Sequence, residues 1–451
     1  MRIAMVSAPV DLPVTAGREV AAQVTALAAA LAEAGHDVDV YTRRADAAAP
    51  KEAHETTGVT VHQVDAGPAQ PIPEQELAAW MSDFGRALAE EWRSDPPEVV
   101  HAYTWTSGLA VSAAQRQLRE SALVGGGASQ APVPVVLTLA GFGAELRRTP
   151  GGAPADATLS NRIRLEVALA RSVDAVVAGS DDEVDEFTRM GVPRERITMV
   201  PAGIDVDRFA PGPALDAAEE PRVVALGDLT PVSGFETMIA ALRGLPGVEL
   251  VIFGATVDEQ GGADELARLR KGAAQLGVAE RVSFADPHLD RTDPGYRPAL
   301  LRSADAVVCV PWHGPVSAGR VLEAMACGVP VVVTAVGAVS DVVVDGVSGV
   351  LVAPRRPDQL ASAIRSLLAD PVRRLGFGVA GADRARSRYE WSRVATSVER
   401  VYRRLLPVVE EEAVLEDELP GVERVGDGDE RGRETGDLQR SEHAGSVRHQ
   451  A

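Results

Sequence analysis

Arg320 and Glu323 stand three residues apart in a stretch with helical spacing, Ser317–Cys327, directly after a short buried strand. An arginine in the first turn of such a helix lies beside free backbone N–H groups, and together they suit a phosphate. The same spacing also lets Arg320 pair with Glu323 across one helical turn, a structural use that needs no ligand. His101 ends a second predicted strand, where a histidine can move a proton or simply fill a place in the scaffold. His313, in the loop before the helix, is a third candidate for proton or phosphate chemistry. The two cysteines, Cys309 and Cys327, fall on a buried strand and at a helix end, and read as reduced core thiols. No metal-ligand spacing occurs.

The element that must position these groups runs from Ser303 to Pro354. Ala306–Val310 is a short β-branched run followed by Pro311, as expected of a buried parallel strand. Gly328 ends the helix and Pro330 prevents its continuation. Val331–Val333 and Val350–Val352 are further strands, with Gly337, Gly346 and Gly349 in the turns. Strand, helix and strand within about 30 residues make a βαβ unit. Its ligand-facing loops lie at the carboxyl ends of the strands.

The segment LEAMACGVPVVVTAVG, followed by VVDGVSGVLV, resembles the donor-site signature of the family 4 retaining glycosyltransferases. GRALAEEWRSDPPEVVHAYTWTSGLA, VDAVVAGSDDEVDEF and MVPAGIDVDRFAP extend the likeness over roughly residues 1–407, closest to the actinobacterial-type members. The resemblance implies an α/β chain of the GT-B fold, with two Rossmann-like doubly wound domains facing across a cleft. It implies transfer of a hexose, with retention, from a nucleoside diphosphate sugar of the UDP or GDP type to a small-molecule or lipid-linked acceptor. No cofactor or metal is implied.

By the same resemblance, Gly227, Gly234, Glu323 and Gly337 belong to the donor and nucleotide site, with Glu323 holding the ribose. Four positions depart from the family pattern. Pro315 stands where a sugar-binding acid is expected eight residues before Glu323, and Ala140 where a histidine reaches the donor sugar. Asp228 and Ser233 replace the arginine and lysine that neutralise the diphosphate. The first of these reverses a charge. The family's glycine-rich loop is reduced here to Gly17, followed by Arg18 and Glu19.

The rest of the chain alternates in the same way. Strands are expected at Arg2–Ser7, His36–Thr42, Gly58–Val64, Val99–Ala102, Val133–Leu139 and Ala175–Ala178, with helices between them, one at Asp181–Met190 capped by Ser180. After a Pro, Gly and Ala-rich stretch a second series begins at Arg222. The expected division is a first domain 1–205, a linker 206–221, a donor domain 222–387, and a helix 388–407 crossing back to the first domain. The remainder, 408–451, carries 13 acidic and 5 basic residues and reads as a disordered acidic tail.

A net charge of −20 argues against nucleic acid or an anionic membrane as partner through bulk electrostatics. No apolar stretch suits a signal peptide or a membrane span, so the cytoplasm is expected. Two function classes follow. One is a hexosyltransferase, slowed or silenced by the four departures. The other is a non-catalytic pseudo-glycosyltransferase that binds a nucleotide or a partner enzyme.

Overall fold

The computed structural model describes residues 1–8, 14–55, 57–125, 132–139, 141–148, 157–215, 220–255, 259–286, 289, 292–313 and 317–407. Ala140, Pro315 and the acidic segment 408–451 lie outside them, as does most of the GGGASQAP insert.

Among the described residues, fourteen strands form two sheets. Those of the first are β1 (Arg2–Ser7), β2 (Asp37–Arg43), β3 (Glu52–His54), β4 (Val59–Val64), β5 (Val99–Tyr103), β6 (Val135–Thr138), β7 (Ala175–Ala178) and β8 (Ile197–Met199). Their order is β3-β4-β2-β1-β5-β6-β7-β8, parallel except for the short edge strand β3. The second sheet contains β9 (Arg222–Asp228), β10 (Glu249–Ala255), β11 (Val282–Phe284), β12 (Ala306–Cys309), β13 (Val331–Thr334) and β14 (Gly349–Val352). It is parallel throughout, in the order β11-β10-β9-β12-β13-β14.

The central strands β7, β12 and β13 are buried at every residue, which is why they read as continuous apolar runs rather than alternating ones. Chain order reverses between β1 and β5 in one sheet and between β9 and β12 in the other. In open α/β sheets a crevice for ligands forms at such reversals, beyond the strand carboxyl ends.

Among the helices that border that crevice are α1 (Val14–Glu33), α2 (Asp181–Arg189), α3 (Gly319–Ala326), α4 (Gly337–Val342), α5 (Pro371–Arg384) and α6 (Trp391–Leu405). Helix α1 begins four residues earlier than the sequence suggests, so Gly17, Arg18 and Glu19 lie within a helix and not in a loop. Helices α4 and α5 were not expected. Glycine punctuation had marked the first as turn, although Gly337 itself opens the helix.

Helix α6 returns to the first sheet and buries Val394, Val398, Val401 and Tyr402 beside Ile3, Met5 and Leu27. The stretch read as a linker, 206–221, is packed where it is described. Val206 and Phe209 are buried in the core of the second sheet, and Arg302 donates to the carbonyls of Arg208, Ala210 and Pro213. The two crossings between sheets run side by side, since the Ile204 N–H donates to Tyr389 O at 2.7 Å and Ile204 bridges Glu390.

Candidate active site in the interdomain cleft

The ends of β5, β6 and β7 face the ends of β9 and β12 across a cavity of about 1420 Å³. On the wall formed with the second sheet stand Gly227, Asp228, Ser233, His313, Arg320 and Gly337. His101 borders the opposite wall. Gly234 and Glu323 are not among the lining residues.

Arg320 rises from the first turn of α3. Its Nη1 donates to Gly227 O and its Nη2 to Asp228 Oδ1, both at 2.7 Å. The expected pair with Glu323 on the same helix does not form. Two contacts at the end of β9, one of them ionic, hold the guanidinium better than one flank of its own helix would. A side chain reaching across to a neighbouring strand is invisible to helical spacing. The outcome is a charge exchange: the carboxylate sits at the strand end, and the arginine on the helix facing it.

Glu323 is instead held by Arg297, whose Nη1 lies 2.7 and 3.0 Å from its two carboxylate oxygens. Burial raises its carboxyl above the ordinary range, while Arg297 pulls it back. To hold a ribose, Glu323 would first have to exchange that partner. No sequence signal marked Arg297.

Each glycine has a different task. Gly227 offers the carbonyl that Arg320 uses. Gly234 has φ 76°, and a Cβ there would lie 1.8 Å from Val310 O, so only glycine lets this loop press on the end of β12. Gly337 opens α4 with φ 53°, and a Cβ would approach Asp182 Oδ2 at 3.7 Å across the cleft. Ser233 shares a hydrogen bond of 3.0 Å with Thr230.

His101 is a scaffold residue. It is fully buried, and its Nδ1 lies 2.7 Å from Tyr402 Oη and its Nε2 2.8 Å from Thr138 Oγ1. Its ring stacks on Tyr103 with centroids 4.3 Å apart. Burial pushes its pKa down to about 3, so the ring is neutral near pH 7 and both nitrogens are already engaged. In this arrangement both ring nitrogens are committed to the scaffold. The ring pins α6 to the first sheet.

The wall opposite Arg320 is acidic, with Glu145, Asp182, Glu183 and Glu186 lining it. Ser180 caps α2, accepting from the Glu183 N–H as the sequence suggested. Asp341 of α4 reaches across the cleft, and its Oδ2 accepts the Asp181 N–H at 3.1 Å. Burial and neighbouring carboxylates push Glu145 and Glu183 up to about 7 and raise Asp341. The acidity of SDDEVDE was legible in the sequence, but its place against α4 was not. Among the described residues, no three His, Cys, Asp or Glu side chains are grouped to hold a metal ion. Cys309 and Cys327 are buried free thiols, each pushed up to about 12 by burial.

Two family descriptions cover most of this architecture. Residues 19–203 match the glycosyl transferase 4-like domain, and residues 212–384 match glycosyl transferases group 1. The D-inositol 3-phosphate glycosyltransferase of Xylanimonas cellulosilytica is 32% identical over 428 residues, covering 89% of this chain and 96% of the relative. The chain belongs to the group 1 glycosyltransferases. A second D-inositol 3-phosphate glycosyltransferase, from Acidothermus cellulolyticus, is 33% identical and covers 84% of each chain.

Among solved structures, sucrose-phosphate synthase from Thermosynechococcus elongatus superposes with a TM-score of 0.71 at 26% identity, covering 89% of this chain and 98% of that one. HepE from Anabaena, in complex with UDP, gives a TM-score of 0.67 at 20% identity, covering 90% and 100%. With these neighbours, the two facing parallel sheets establish the GT-B fold for this glycosyltransferase. Among the described residues, no helix is long and apolar enough to cross a membrane.

Proposed function

We propose that this glycosyltransferase binds a nucleoside diphosphate sugar of the UDP or GDP type in the cleft and transfers its hexose slowly or not at all. One observation carries the reading. The Asp228–Arg320 pair spends the cation that faces the diphosphate position on a carboxylate of the same site. A departing diphosphate gathers negative charge, and preorganised cations or N–H groups must meet it as the bond breaks. Here the pair is neutral in sum. Beside the pair, the same wall offers the phosphates the N-terminal end of α3, while Asp182 faces Gly337 from across the cleft. Ala140, Ser233 and Pro315 stand, by the family comparison, where further donor contacts would be. HepE is solved with UDP, which supports a nucleotide in the corresponding cleft of this chain. Two free buried thiols suit a reducing compartment, and we place the protein in the cytoplasm.

A second reading, an active hexosyltransferase, is favoured by the near full-length likeness to D-inositol 3-phosphate glycosyltransferases. Calorimetry with UDP and GDP, beside hydrolysis and transfer assays on their sugars, separates the two. Binding with turnover about 10²-fold or more below that of an ordinary transferase supports the first reading. Asp228→Arg with Ser233→Lys should then strengthen nucleotide binding. Failure of both nucleotides to bind overturns the reading of the cleft itself.

A further inference from the structure

Val232, Pro311 and His313 line the cleft, but Trp312, which stands between the last two, does not. Its ring sits behind the cavity wall and ties together separate pieces of chain. The Trp312 backbone N–H donates to Val232 O at 2.9 Å, in the turn Pro231–Ser233 that carries the cleft-lining Ser233. Its indole Nε1–H donates to Thr237 Oγ1, also at 2.9 Å, on the helix Phe235–Ala241. Gly234 lies between these two partners, and a Cβ there would meet Trp312 Cδ1 at 3.3 Å. From β13, Thr334 Oγ1 donates to Pro311 O at 2.8 Å and fixes the start of the same loop.

Arg355, just past the end of β14, lies over the indole with its guanidinium carbon 4.2 Å from the ring centre. The residue is exposed, and its backbone is left-handed, with φ 58°. A side chain strains that conformation, which glycine adopts freely, and such strain persists where the surroundings hold it. Among the described residues, Thr104 is the one other non-glycine residue with positive φ. It is buried, and its Oγ1 shares hydrogen bonds with Thr106 and Ser107. Among the described residues no ion pair holds Arg355, and the nearby Asp358 is paired with Arg356. What an arginine adds over glycine at this turn is the cation–π contact with Trp312.

We infer that Trp312 and Arg355 are positioning residues for the nucleotide site proposed in the cleft. The guanidinium holds the indole in place. The indole in turn holds the turn Pro231–Ser233 and the close approach of Gly234 to Val310 O, and the cleft-facing Ser233 and His313 take their places from it. Neither Trp312 nor Arg355 lines the cavity, so both act through what the indole holds. A purely structural turn would be served as well by glycine at position 355, which fits φ 58° without strain. The inference rests on the reading of the cleft as a nucleotide site, and adds to it the part of the wall that keeps that site in shape.

The test uses the full chain, with calorimetry on UDP, thermal melts, and hydrogen exchange of segments 230–238 and 310–320 in the free protein. Arg355→Gly should melt at the wild-type temperature or above it, because the backbone strain is gone. It should nevertheless bind UDP about fivefold more weakly, the worth of one cation–π contact, and exchange faster in both segments. Arg355→Lys keeps a cation over the ring and should restore most of the affinity and the slow exchange. Trp312→Phe keeps a ring under Arg355 but loses the donor to Thr237, and should also weaken UDP binding. Arg356→Gln, one residue along and paired with Asp358, should change neither readout. Wild-type UDP affinity or wild-type exchange in Arg355→Gly would each overturn the inference. So would a loss that Arg355→Lys does not relieve, or one that comes with a lower melting temperature in Arg355→Gly, which would make the pair structural. Exchange is read without nucleotide, so a wild type that binds neither UDP nor GDP refutes the reading of the cleft alone, and exchange then decides the positioning.

Discussion

In the proposed reading, Asp228 at the end of β9 and Arg320 of α3, paired with it, decide how much positive charge the cleft offers a diphosphate. Asp228→Asn removes the competing carboxylate and leaves Arg320 in place, so UDP affinity should rise by about tenfold, the worth of one charge-assisted hydrogen bond. Arg320→Gln should lower it by a similar factor; unchanged affinity in both variants would show that the pair is structural. Glu183 offers a test by pH. Its carboxyl is pushed from the ordinary 4.5 up to about 7, so between those values the folded chain keeps a proton that the unfolded chain has lost. The stability this gives is complete below the ordinary value and disappears as pH rises through about 7. Glu183→Gln keeps an acceptor for the Gly179 N–H, now 2.7 Å away, without the charge. Thermal melts should show the variant gaining over the wild type at about pH 8, with the gain vanishing near pH 4. Equal melting differences at both pH values would contradict the buried carboxylate.

At the scale of elements, α6 is the piece that joins the two ends of the chain, and Tyr402 with His101 is its buried polar anchor. Tyr402→Phe leaves a ring nitrogen of His101 without its partner, at a cost of about 1–3 kcal/mol. The melting temperature should fall accordingly, while UDP affinity in the folded protein stays as it was. A changed affinity with unchanged melting would give His101 back a functional part. The strands were readable from short β-branched runs closed by Gly or Pro, because a strand buried on both faces leaves no room for polar residues. Ser180 as a helix cap was readable for a similar local reason. Helix α4 was not, because Gly337 both opens the helix and looks like a turn. The partners of Arg320 and Glu323 were not readable either, since Asp228 and Arg297 reach them through the fold.

The whole molecule is a group 1 glycosyltransferase in architecture, and that was legible in the order of segments along the chain. Which charges meet in the cleft depends on how two sheets and a returning helix face one another, which no single segment encodes. The acidic segment 408–451 lies outside the described residues, and its composition offers no apolar face. A chain ending at Pro407 should therefore melt as the full chain does, and a drop of several degrees would give the segment a structural part. The most direct test of the central claim is turnover of nucleotide sugars by the unmodified protein, measured as UDP or GDP release alongside calorimetric binding. The account predicts saturable binding with release far below about 1 s⁻¹, the lower end of ordinary enzyme rates. Release at ordinary enzyme rates would contradict it and show that Arg320, although paired with Asp228, still meets the diphosphate as it leaves.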